Sequence, residues 1–437
     1  MRHLISWSDL RHERVAVWGL GIEGTANLAK LRALGLEPVI VDDRPERIGS
    51  GETVLNTAGE GLAALLDATV VVKTPGISRY RPEVARLEAA GVAVVGGLGL
   101  WLQEVDRSKV VCITGTKGKS TTTAVLTHLA QRLGVDAFAG GNLGAPPYAP
   151  SAPAQADLWV IETSSYQATD VASSPPLVVV SSLSADHLPW HGDLETYHRD
   201  KLSLCSQPGA ALTVAADAEV LRQRRDLLGS RVRWVAIEQT TRRWAGQLGL
   251  VGEHNLANAA LARVCLEELG VPGCGDEQTL AAACHGFEGL PSRLQYVTTV
   301  DGVDFYDDSL STNVLPTIAA VQAFAGRRVA LIVGGMERNI DYGPLAEALA
   351  RRDLETLVLT LYTTGPRMRE VIDAAHGPLV QTMAGEDLHQ AVRMAWQWAQ
   401  PDGVVLLSPA AASFDAFADF THRARVFRDA VSELEMR

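Results

Sequence analysis

Short apolar runs alternate with helical patterns from the beginning of the chain onward. The runs RVAVWG, EPVIVDD, ATVVVKTPG and VAVVGG are typical of buried strands. Between the first two runs, GLGIEGTANLAKLRALG predicts a turn and then a helix that ends at Gly35. Strands that alternate with helices in this way indicate a parallel, doubly wound sheet. We therefore predict an α/β domain of this class in the first part of the chain.

Two further α/β blocks follow. The second opens with SKVVCITG and continues through ADLWVIETSS and LVVVSSL, with an Ala/Pro-rich surface loop at residues 144–157. The strands of the third are VDFYDDS, RRVALIVGG, ETLVLTLYTTG and GVVLLSP. A chain of 437 residues is also too long for a single core. We expect three domains, over residues 1–105, 106–290 and 291–437.

Composition and charge narrow the class of protein. Hydrophobic residues make up 47% of the chain and charged residues 21%, as in soluble globular proteins. The net charge of −12 argues against a nucleic-acid-binding protein, which usually presents a basic face. The five cysteines contain no CxxC pair, so buried free thiols explain them better than disulfides or zinc. Because there is neither a signal-peptide core nor a long uncharged apolar stretch, we expect a cytoplasmic protein that does not bind membranes.

The stretch CITGTKGKST is the first candidate for chemistry. Gly115, Gly118, Lys119 and Ser120 stand between an apolar strand and a helical pattern, although the spacing differs from the Walker pattern. Glycines let the backbone approach a phosphate, and the start of a helix favours an anion. Lys119 would then lie on the β- and γ-phosphates, and Ser120 or Thr121 would bind Mg²⁺. The alternative is a surface turn rich in glycine and lysine.

A second candidate is the GxGxxG spacing at Gly19, Gly21 and Gly24, directly after RVAVW. The next strand ends in Asp42 and Asp43, about 20 residues further on, where an acidic residue holds a ribose hydroxyl in dinucleotide-binding domains. Three interpretations stay open at this point. They are an NAD site, a site for another nucleotide diphosphate, and a tight turn without a ligand.

Several motifs together resemble one known family. In order and spacing, the chain is similar to the Mur ligases, and within them to the ligases that add glutamate, on the motifs GTKGKST, ETSSYQ, DHLPWHG, DKLSL, GEHNLANAALA, LPSRLQ, DDSLSTN, GGMERNID and LLSPAAASFDAF. The resemblance implies three α/β domains. They are an N-terminal Rossmann-like domain that holds UDP, a central P-loop ATPase-like domain with a parallel sheet, and a C-terminal Rossmann-like domain. NAD then becomes the weaker interpretation of the GxGxxG turn.

The family chemistry implied by this resemblance is ATP-dependent ligation. The γ-phosphoryl group of ATP passes to the carboxylate of UDP-N-acetylmuramoyl-L-alanine and forms an acyl phosphate. The amine of glutamate attacks it, and the tetrahedral intermediate expels phosphate. Because a triphosphate and a carboxylate must meet, the site needs cations, which Lys119 and Mg²⁺ would supply. We expect a monomer in peptidoglycan precursor synthesis.

The resemblance also implies roles for individual residues. ATP would be bound by Gly115, Thr116, Lys117, Gly118, Lys119, Ser120, Thr121, Asn255, Asn258, Arg293 and Asp308. The UDP-sugar would be bound by Gly19, Glu23, Gly24, Asp42, Asp43, Arg44, Gly76, Asn142 and Gln167. Glutamate would be bound by Thr312, Arg338, Ser413 and Phe420. The catalytic set would be Lys119, Glu162, His187 and Lys201, and the metal ligands Ser120, Glu162, His187 and Lys201.

Lys201 matches the lysine that is carbamylated in the family. A lysine ammonium would repel Mg²⁺, whereas the carbamate formed with CO₂ is an anion that can hold the metal. Carbamylation needs a lysine with a depressed pKa, so we expect Lys201 to be buried beside the metal. From the sequence alone, an ordinary lysine on a helix surface is the simpler explanation.

Two departures from the family bear on which glutamate isomer is added. Ligases of this subgroup that add D-glutamate usually carry lysines where this chain has Leu310 and Arg338. An arginine grips a carboxylate by two parallel bonds, whereas lysine acts as a point charge, so the carboxylates are placed differently. With VKTPGISRYRPE, these changes resemble the branch that adds L-glutamate, whose product a separate epimerase inverts. D-glutamate ligation, a non-catalytic nucleotide-binding relative, and an enzyme similar to folylpolyglutamate synthase remain as alternatives.

Pro189 and Ser292 are two further departures from the family pattern. Pro189 replaces the usual Asp of the family motif DHLDxH and removes a carboxylate near the expected metal. Ser292 replaces the usual His or Asn, and the sequence does not explain that change.

Overall fold

The computed structural model describes residues 2–47 and 51–435. The chain forms two compact units. The first comprises the residues up to Gln247 together with Ala257–Phe287, and the second comprises Leu248–Leu256 together with the residues from Glu288 onward. The first unit contains two β-sheets and the second contains one.

The first sheet is five-stranded, parallel and Rossmann-like. Its order is β3-β2-β1-β4-β5, so the direction of winding reverses beside β1, where ligands bind in doubly wound folds. Its strands are β1 (Val15–Trp18), β2 (Val39–Asp42), β3 (Val54–Asn56), β4 (Val70–Lys73) and β5 (Ala93–Gly96). Its helices are α1 (Ile22–Ala33), α2 (Leu62–Asp67), α3 (Pro82–Ala89) and α4 (Gly97–Leu102).

The second sheet has six parallel strands in the order β11-β10-β9-β6-β8-β7. All five residues of its inner strand VVCIT are buried, as a continuous apolar run predicts. Its strands are β6 (Val110–Thr114), β7 (Ala137–Gly141), β8 (Leu158–Glu162), β9 (Leu177–Val180), β10 (Leu212–Ala216) and β11 (Val232–Val235). The helices that follow are α5 (Lys119–Arg132), α6 (Ser165–Ala168), α7 (Leu188–His191), α8 (Leu194–Leu202), α9 (Glu219–Gln223), α10 (Gln239–Ala245), α11 (Glu253–Glu268) and α12 (Glu277–Ala283).

The third sheet has the order β12-β13-β17-β14-β15-β16, and only its edge strand β12 is antiparallel. Its strands are β12 (Gln295–Val300), β13 (Val303–Asp307), β14 (Val329–Gly334), β15 (Thr356–Leu361), β16 (Val380–Ala384) and β17 (Val404–Leu407). Its helices are α13 (Val314–Gln322), α14 (Gly343–Ala350), α15 (Gly365–Ala374), α16 (Leu388–Ala399) and α17 (Phe420–Glu435). Apolar clusters fill both faces of this sheet.

The fold class predicted from the sequence is confirmed. Three largely parallel sheets alternate with helices, and every apolar run singled out as a strand contains one. The exact domain borders at residues 105 and 290 stay a prediction. Within the described part of the chain, the helices are too short or too polar to span a lipid bilayer.

A buried ion cluster joins the first sheet to the second within the first unit. Lys73, the last residue of β4, donates to Asp170 Oδ2 at 2.5 Å, and the guanidinium of Arg79 donates to Asp170 Oδ1 at 2.9 Å. The Lys73 side chain is fully buried and that of Asp170 is 3% exposed. A Cβ on Gly96 or Gly99 would collide with Asp170, so the backbone also packs closely here. The cluster therefore fixes β4 against the segment that follows α6.

Removing Asp170 should destabilise the first unit. Asp170→Ala leaves a buried ammonium without its carboxylate, which costs about 3–5 kcal/mol. The double variant Lys73→Met/Asp170→Leu removes both buried partners and should lose less stability than the single variant. Calorimetric melting of both proteins measures the difference. Glu277→Ala, which breaks the exposed pair with Arg243, is the control and should cost at most about 1 kcal/mol. A double variant less stable than Asp170→Ala would contradict this account.

Candidate nucleotide and metal site

The glycine-rich loop lies between a buried strand and a helix, as the sequence predicts. β6 ends at Thr114 and α5 begins at Lys119. Gly115 has a φ of 137° and Gly118 a φ of 86°, values that residues with a side chain rarely adopt. The first N–H groups of α5 have no acceptor within the helix, and the helix dipole favours an anion at that end.

Hydroxyl groups from the segment after β9 hold this loop in shape. The N–H of Lys117 donates to Ser182 Oγ at 2.8 Å, and the hydroxyl of Ser181 donates to the Lys117 carbonyl at 2.6 Å. Thr116 donates its hydroxyl to the carbonyl of Ser184 at 3.1 Å. Neighbouring protein groups thus hold the loop in this shape.

Two lysines converge on one carbonyl oxygen of the loop. The ammonium of Lys119 donates to the Gly115 carbonyl at 2.9 Å and to the Thr116 carbonyl at 3.1 Å. Lys201 donates to the same Gly115 carbonyl at 2.9 Å and is 1% exposed. Burial, reinforced by the nearby charge of Lys119, holds the pKa of Lys201 well below its usual range. The site therefore contains an amine that resists protonation beside a lysine that suits phosphate.

Glu162 brings a carboxylate to the same end of the sheet. It is the last residue of β8, which pairs with β6 so that Glu162 lies beside Ile113. Its Oε1 accepts from the amide of Asn142 at 2.6 Å. Its Oε2 is buried and, among the described residues, has no hydrogen-bond partner. A carboxylate oxygen in that state suits a hard divalent cation, so the residues present fit Mg²⁺.

His187 and Ser120 complete the predicted metal set. His187 caps α7 with a φ of 53°, and its side chain is 49% exposed. Burial of part of the ring lowers the pKa of His187, so the ring is neutral, as a metal ligand must be. Ser120 is buried in the first turn of α5. Pro189 fits the first turn of α7, where a missing N–H costs nothing.

A metal ion here would need further ligands in addition to Glu162 and His187. Across residues 2–47 and 51–435, no three His, Cys, Asp or Glu side chains form a cluster that could hold a metal. Phosphate oxygens of a nucleotide, the Ser120 hydroxyl and a modified Lys201 are the groups that could complete the shell around Glu162.

The GxGxxG turn of the first sheet is tight for steric reasons. A Cβ on Gly19 would collide with Thr74 Oγ1, and a Cβ on Gly24 would collide with the Gly19 carbonyl. Asp42 closes the turn, because its carboxylate accepts from the N–H groups of Leu20 and Arg44 at 2.9 and 2.8 Å. The carboxylate expected to face a ribose is therefore also a structural clamp of the turn.

Two other predicted residues of the UDP-sugar site, Asp43 and Gly76, contact neighbouring segments. Asp43 pairs with Arg81 at 2.6 Å, and the Arg81 guanidinium lies 5.0 Å from the centre of the Trp18 ring. The carbonyl of Gly76 accepts from Trp190 Nε1 at 3.3 Å.

Gln167 and Glu23 connect the two sheets of the first unit near this turn. Gln167 donates its amide to Glu23 Oε1 at 2.6 Å and forms a capping box with Ser164 at the start of α6. Burial raises the pKa of Glu23 to about 7, against the opposing effect of the bond from Gln167. A carboxyl group that is partly protonated at neutral pH repels a diphosphate less than an ionised one does.

The two asparagines predicted to contact ATP lie in different compact units. Asn258 packs against the loop, because its Oδ1 accepts from the Thr122 hydroxyl at 3.2 Å and a Cβ on Gly118 would collide with it. Asn255 belongs to the second unit, where its amide donates to the carbonyl of Val251 at 2.8 Å.

Asp308 of the second unit is held tightly by its own neighbours. Its carboxylate accepts from the N–H of Leu294 at 3.0 Å and from the hydroxyls of Ser311 and Ser408 at 2.5 and 2.7 Å. Burial raises the pKa of Asp308 to about 6. Contact with ATP, as predicted, would require these bonds to be shared or exchanged.

Ser292 and Arg293 lie in the turn before β12. Ser292 has a φ of 58°, the region in which Asn and His are enriched, and its hydroxyl donates to Asp307 Oδ2 at 3.1 Å. This backbone conformation accounts for the residue types that Ser292 replaces. Arg293 is half-buried.

The predicted glutamate residues follow strands that are neighbours in the third sheet. Thr312 comes after β13, Arg338 after β14, and Ser413 and Phe420 after β17. Because these strands are parallel, their following loops meet at one edge of the sheet. The Arg338 guanidinium lies 5.9 Å from the centre of the exposed Phe414 ring.

Sequence reasoning missed Arg423 at this edge. Its guanidinium is buried and donates to the carbonyls of Ala411 and Ser309 at 3.2 and 2.7 Å, joining the loops after β17 and β13. Burial lowers the pKa of Arg423 to about 10. The sequence feature that could have identified Arg423 is its position on the apolar stripe of α17, together with Phe427, Ala430 and Leu434.

Comparison with known proteins gives matches along the whole chain. Family profiles match residues 13–96 as the N-terminal domain of MurD-like Mur ligases, residues 113–246 as the Mur ligase middle domain, and residues 292–411 as the glutamate ligase domain of Mur ligases. A UDP-N-acetylmuramoyl-L-alanine–L-glutamate ligase of a Micromonospora strain is 37% identical, over 98% of this chain and 98% of its own. One from Xanthomonas euvesicatoria is 37% identical, over 96% and 95%.

A solved structure shares the fold. It is the UDP-N-acetylmuramate-alanine ligase MurC from Thermotoga maritima, with a TM-score of 0.59 and 19% identity, covering 97% of this chain and 100% of that one.

The close approach of Asn258 predicts that a methyl group on Gly118 will weaken nucleotide binding. Gly118→Ala places a side chain at positive φ and against Asn258, so the loop must shift. We expect ADP affinity to fall about tenfold or more, or ~1.4 kcal/mol. Gly134→Ala is a matched control on α5's other end, because Gly134 has a φ of 88° and no atom near its Cβ position. Calorimetric titration with ADP should show normal affinity for that control, and equal losses in both variants would contradict the prediction.

Proposed function

The chain belongs to the Mur ligase family, and we propose on that premise that it joins L-glutamate to UDP-N-acetylmuramoyl-L-alanine with hydrolysis of ATP to ADP and phosphate. The observation that carries this proposal is the convergence of Lys119 and Lys201 on the Gly115 carbonyl, directly after β6 and beside the strand that ends at Glu162. Such a site can hold the two anions, a triphosphate and a substrate carboxylate, next to each other.

The binding groups of the central domain would orient ATP for transfer. Lys119 and the N–H groups at the start of α5 would bind the β- and γ-phosphates. Mg²⁺, as is typical of the family, would be held by Glu162, Ser120, His187 and carbamylated Lys201. When bound, it neutralises the charge that two anions bring together.

The reaction then follows from that arrangement. The substrate carboxylate attacks the γ-phosphorus, the bond to the β-phosphate oxygen breaks, and ADP leaves. The glutamate amine attacks the acyl phosphate carbon and loses a proton, and the tetrahedral intermediate expels inorganic phosphate. Lys119 stabilises negative charge that develops on the transferred group, which is worth more in a site that excludes water.

The UDP-sugar substrate would lie along the turn of the first sheet. Gly19 and Gly24 keep that turn tight enough for the backbone to approach the diphosphate. Asn142 and Gln167, whose amides contact Glu162 and Glu23, would hold the sugar arm close to the metal. A folylpolyglutamate-synthase-like enzyme lacks a UDP domain, so the match to a MurD-like N-terminal domain argues against that alternative.

The choice of L-glutamate rests on the second unit. The guanidinium of Arg338 can bind one carboxylate by two parallel bonds. Leu310, which is half-buried, is uncharged where ligases for the D isomer usually have a lysine. The curated relatives described above are named as L-glutamate ligases. An ordinary D-glutamate ligase is the alternative.

The proposal also covers the domain borders, the oligomeric state, the location and a partner enzyme. We propose three domains with borders near residues 105 and 290, a monomer, a cytoplasmic location and an epimerase that acts on the product. Each follows from the family assignment and from the reaction.

The isomer assignment predicts which amino acid supports turnover. Purified protein incubated with ATP, Mg²⁺ and UDP-N-acetylmuramoyl-L-alanine should release phosphate with L-glutamate and not with D-glutamate. Phosphate release and mass spectrometry of the nucleotide product measure this outcome. Turnover with D-glutamate alone would establish the alternative ligase, and no turnover with either isomer would support a non-catalytic relative.

The buried amine of Lys201 predicts a carbamate. Lys201→Ala should abolish ligation, because the metal loses an anionic ligand, and chloride at high concentration should restore part of the rate. In ¹³C-bicarbonate, the wild-type protein should show a carbamate carbon resonance that Lys201→Ala lacks. Lys109→Ala, which removes an exposed lysine paired with Asp157, is the control and should keep both properties. Full activity in Lys201→Ala would remove the carbamate from the mechanism.

A further inference from the structure

A chain of short hydrogen bonds passes through His191 in the first unit. The hydroxyl of Tyr80 donates to the carboxylate of Asp200 at 2.8 Å. Asp200 Oδ2 lies 2.7 Å from His191 Nδ1, and His191 Nε2 lies 2.9 Å from Ser165 Oγ. None of these four residues is part of the nucleotide and metal set described above.

The carboxylate of Asp200 decides the direction of one of these bonds. A carboxylate oxygen accepts, so His191 Nδ1 carries a proton and donates to Asp200. His191 Nε2 and the Ser165 hydroxyl share the second bond. The two bonds hold the His191 ring at both of its nitrogens.

Burial makes these bonds strong and costly to break. The His191 side chain is fully buried, and Ser165 is 2% exposed. The ring of Tyr166 stacks on that of His191 with 5.5 Å between centres. In such surroundings a hydrogen bond is stronger than in water, and an unpaired polar atom is expensive.

The bonded residues connect the three segments that carry Glu162, His187 and Lys201. Ser165 opens α6, which follows Glu162 at the end of β8. His191 ends the short helix α7 that His187 begins, and Asp200 precedes Lys201 in α8. His191 is the residue at which all three segments are joined by side-chain bonds.

The same series of hydrogen bonds reaches the Gly76 loop of the first sheet. Besides Tyr80, that loop contributes Ser78, whose hydroxyl donates to the carbonyl of Trp190 at 3.0 Å. Trp190 Nε1 donates in return to the Gly76 carbonyl at 3.3 Å. The loop predicted to contact the UDP-sugar is thus fastened to the residue next to His191.

We propose that His191 is a positioning residue. Through Ser165 and Asp200, it holds Glu162, His187 and Lys201 in the arrangement that binds a divalent cation. Tyr80 connects the Gly76 loop to that arrangement. The inference rests on the proposed function for the identity of the metal ligands. It assigns His191 no contact with substrate or metal.

Binding of Mn²⁺ in the presence of ADP tests the central claim without turnover. Electron paramagnetic resonance measures the free Mn²⁺. His191→Asn keeps a donor near Nδ1 for Asp200 and loses the bond to Ser165, whereas His191→Gln keeps a group near Nε2 and loses the bond to Asp200. We expect each variant to bind Mn²⁺ about tenfold more weakly, and His191→Ala more weakly still.

The chain provides a matched control on α8. His198 is buried to a similar degree, and neither of its ring nitrogens has a hydrogen-bond partner among the described residues. His198→Gln should therefore keep the wild-type affinity for Mn²⁺ even if it melts at a lower temperature. If it loses as much affinity as His191→Gln, or if His191→Ala binds Mn²⁺ normally, the proposal is overturned.

Tyr80 gives a test that does not disturb the core, because its ring is 55% exposed. Tyr80→Phe should raise the KM for UDP-N-acetylmuramoyl-L-alanine several-fold and leave Mn²⁺ binding with ADP unchanged, because the bond between His191 and Asp200 remains. An unchanged KM would overturn the role of Tyr80. Wild-type protein that binds Mn²⁺ and ADP but ligates neither glutamate isomer would refute the proposed function and not the positioning role.

Discussion

Two lysine amines donate to one backbone oxygen, and this shared contact decides which groups the central site can bind. Lys119 and Lys201 both donate to the Gly115 carbonyl, and burial opposes a full charge on Lys201. One amine can remain charged for phosphate, while burial disfavours the charged form of the other. The Oε2 of Glu162, buried without a protein partner among the described residues, adds the opposite need for a cation. A triphosphate with a divalent metal would bring an anion to the lysines and a cation to Glu162.

Rigid surroundings make this arrangement possible. The loop is held by hydroxyl groups of the segment Ser181–Ser184, and its glycines have φ values that exclude a side chain. Bonds through His191 join the segments that carry Glu162, His187 and Lys201, and the ion cluster around Asp170 fixes the first sheet to the second. The His191 bonds and the Lys73–Asp170 pair are buried, so a low local dielectric strengthens them. A site built this way loses little entropy when the substrates bind.

In the second unit, one sheet edge gathers the groups proposed for glutamate. Loops after β13, β14 and β17 meet there because the strands are parallel neighbours. The buried guanidinium of Arg423 joins two of these loops by donating to their backbone carbonyls. Arg338, by contrast, is exposed and lies near an equally exposed Phe414. Buried arginine thus shapes the edge, while exposed arginine remains available to a carboxylate.

The sequence by itself determined the fold class, the central strands and the phosphate loop. Strands buried on both faces read as continuous apolar runs, and a glycine-rich turn between strand and helix has few other uses. Among the described strands that it did not reveal, β3, β7, β11, β12 and β16 lie at sheet edges, where one side is solvated and the pattern weakens, and β10 lies inside its sheet. Only the tertiary structure decided that Asp42 clamps a turn, that Arg423 is buried, and that His191 joins three segments. Such roles depend on partners distant in the chain, and local residue patterns carry no record of which distant groups will meet.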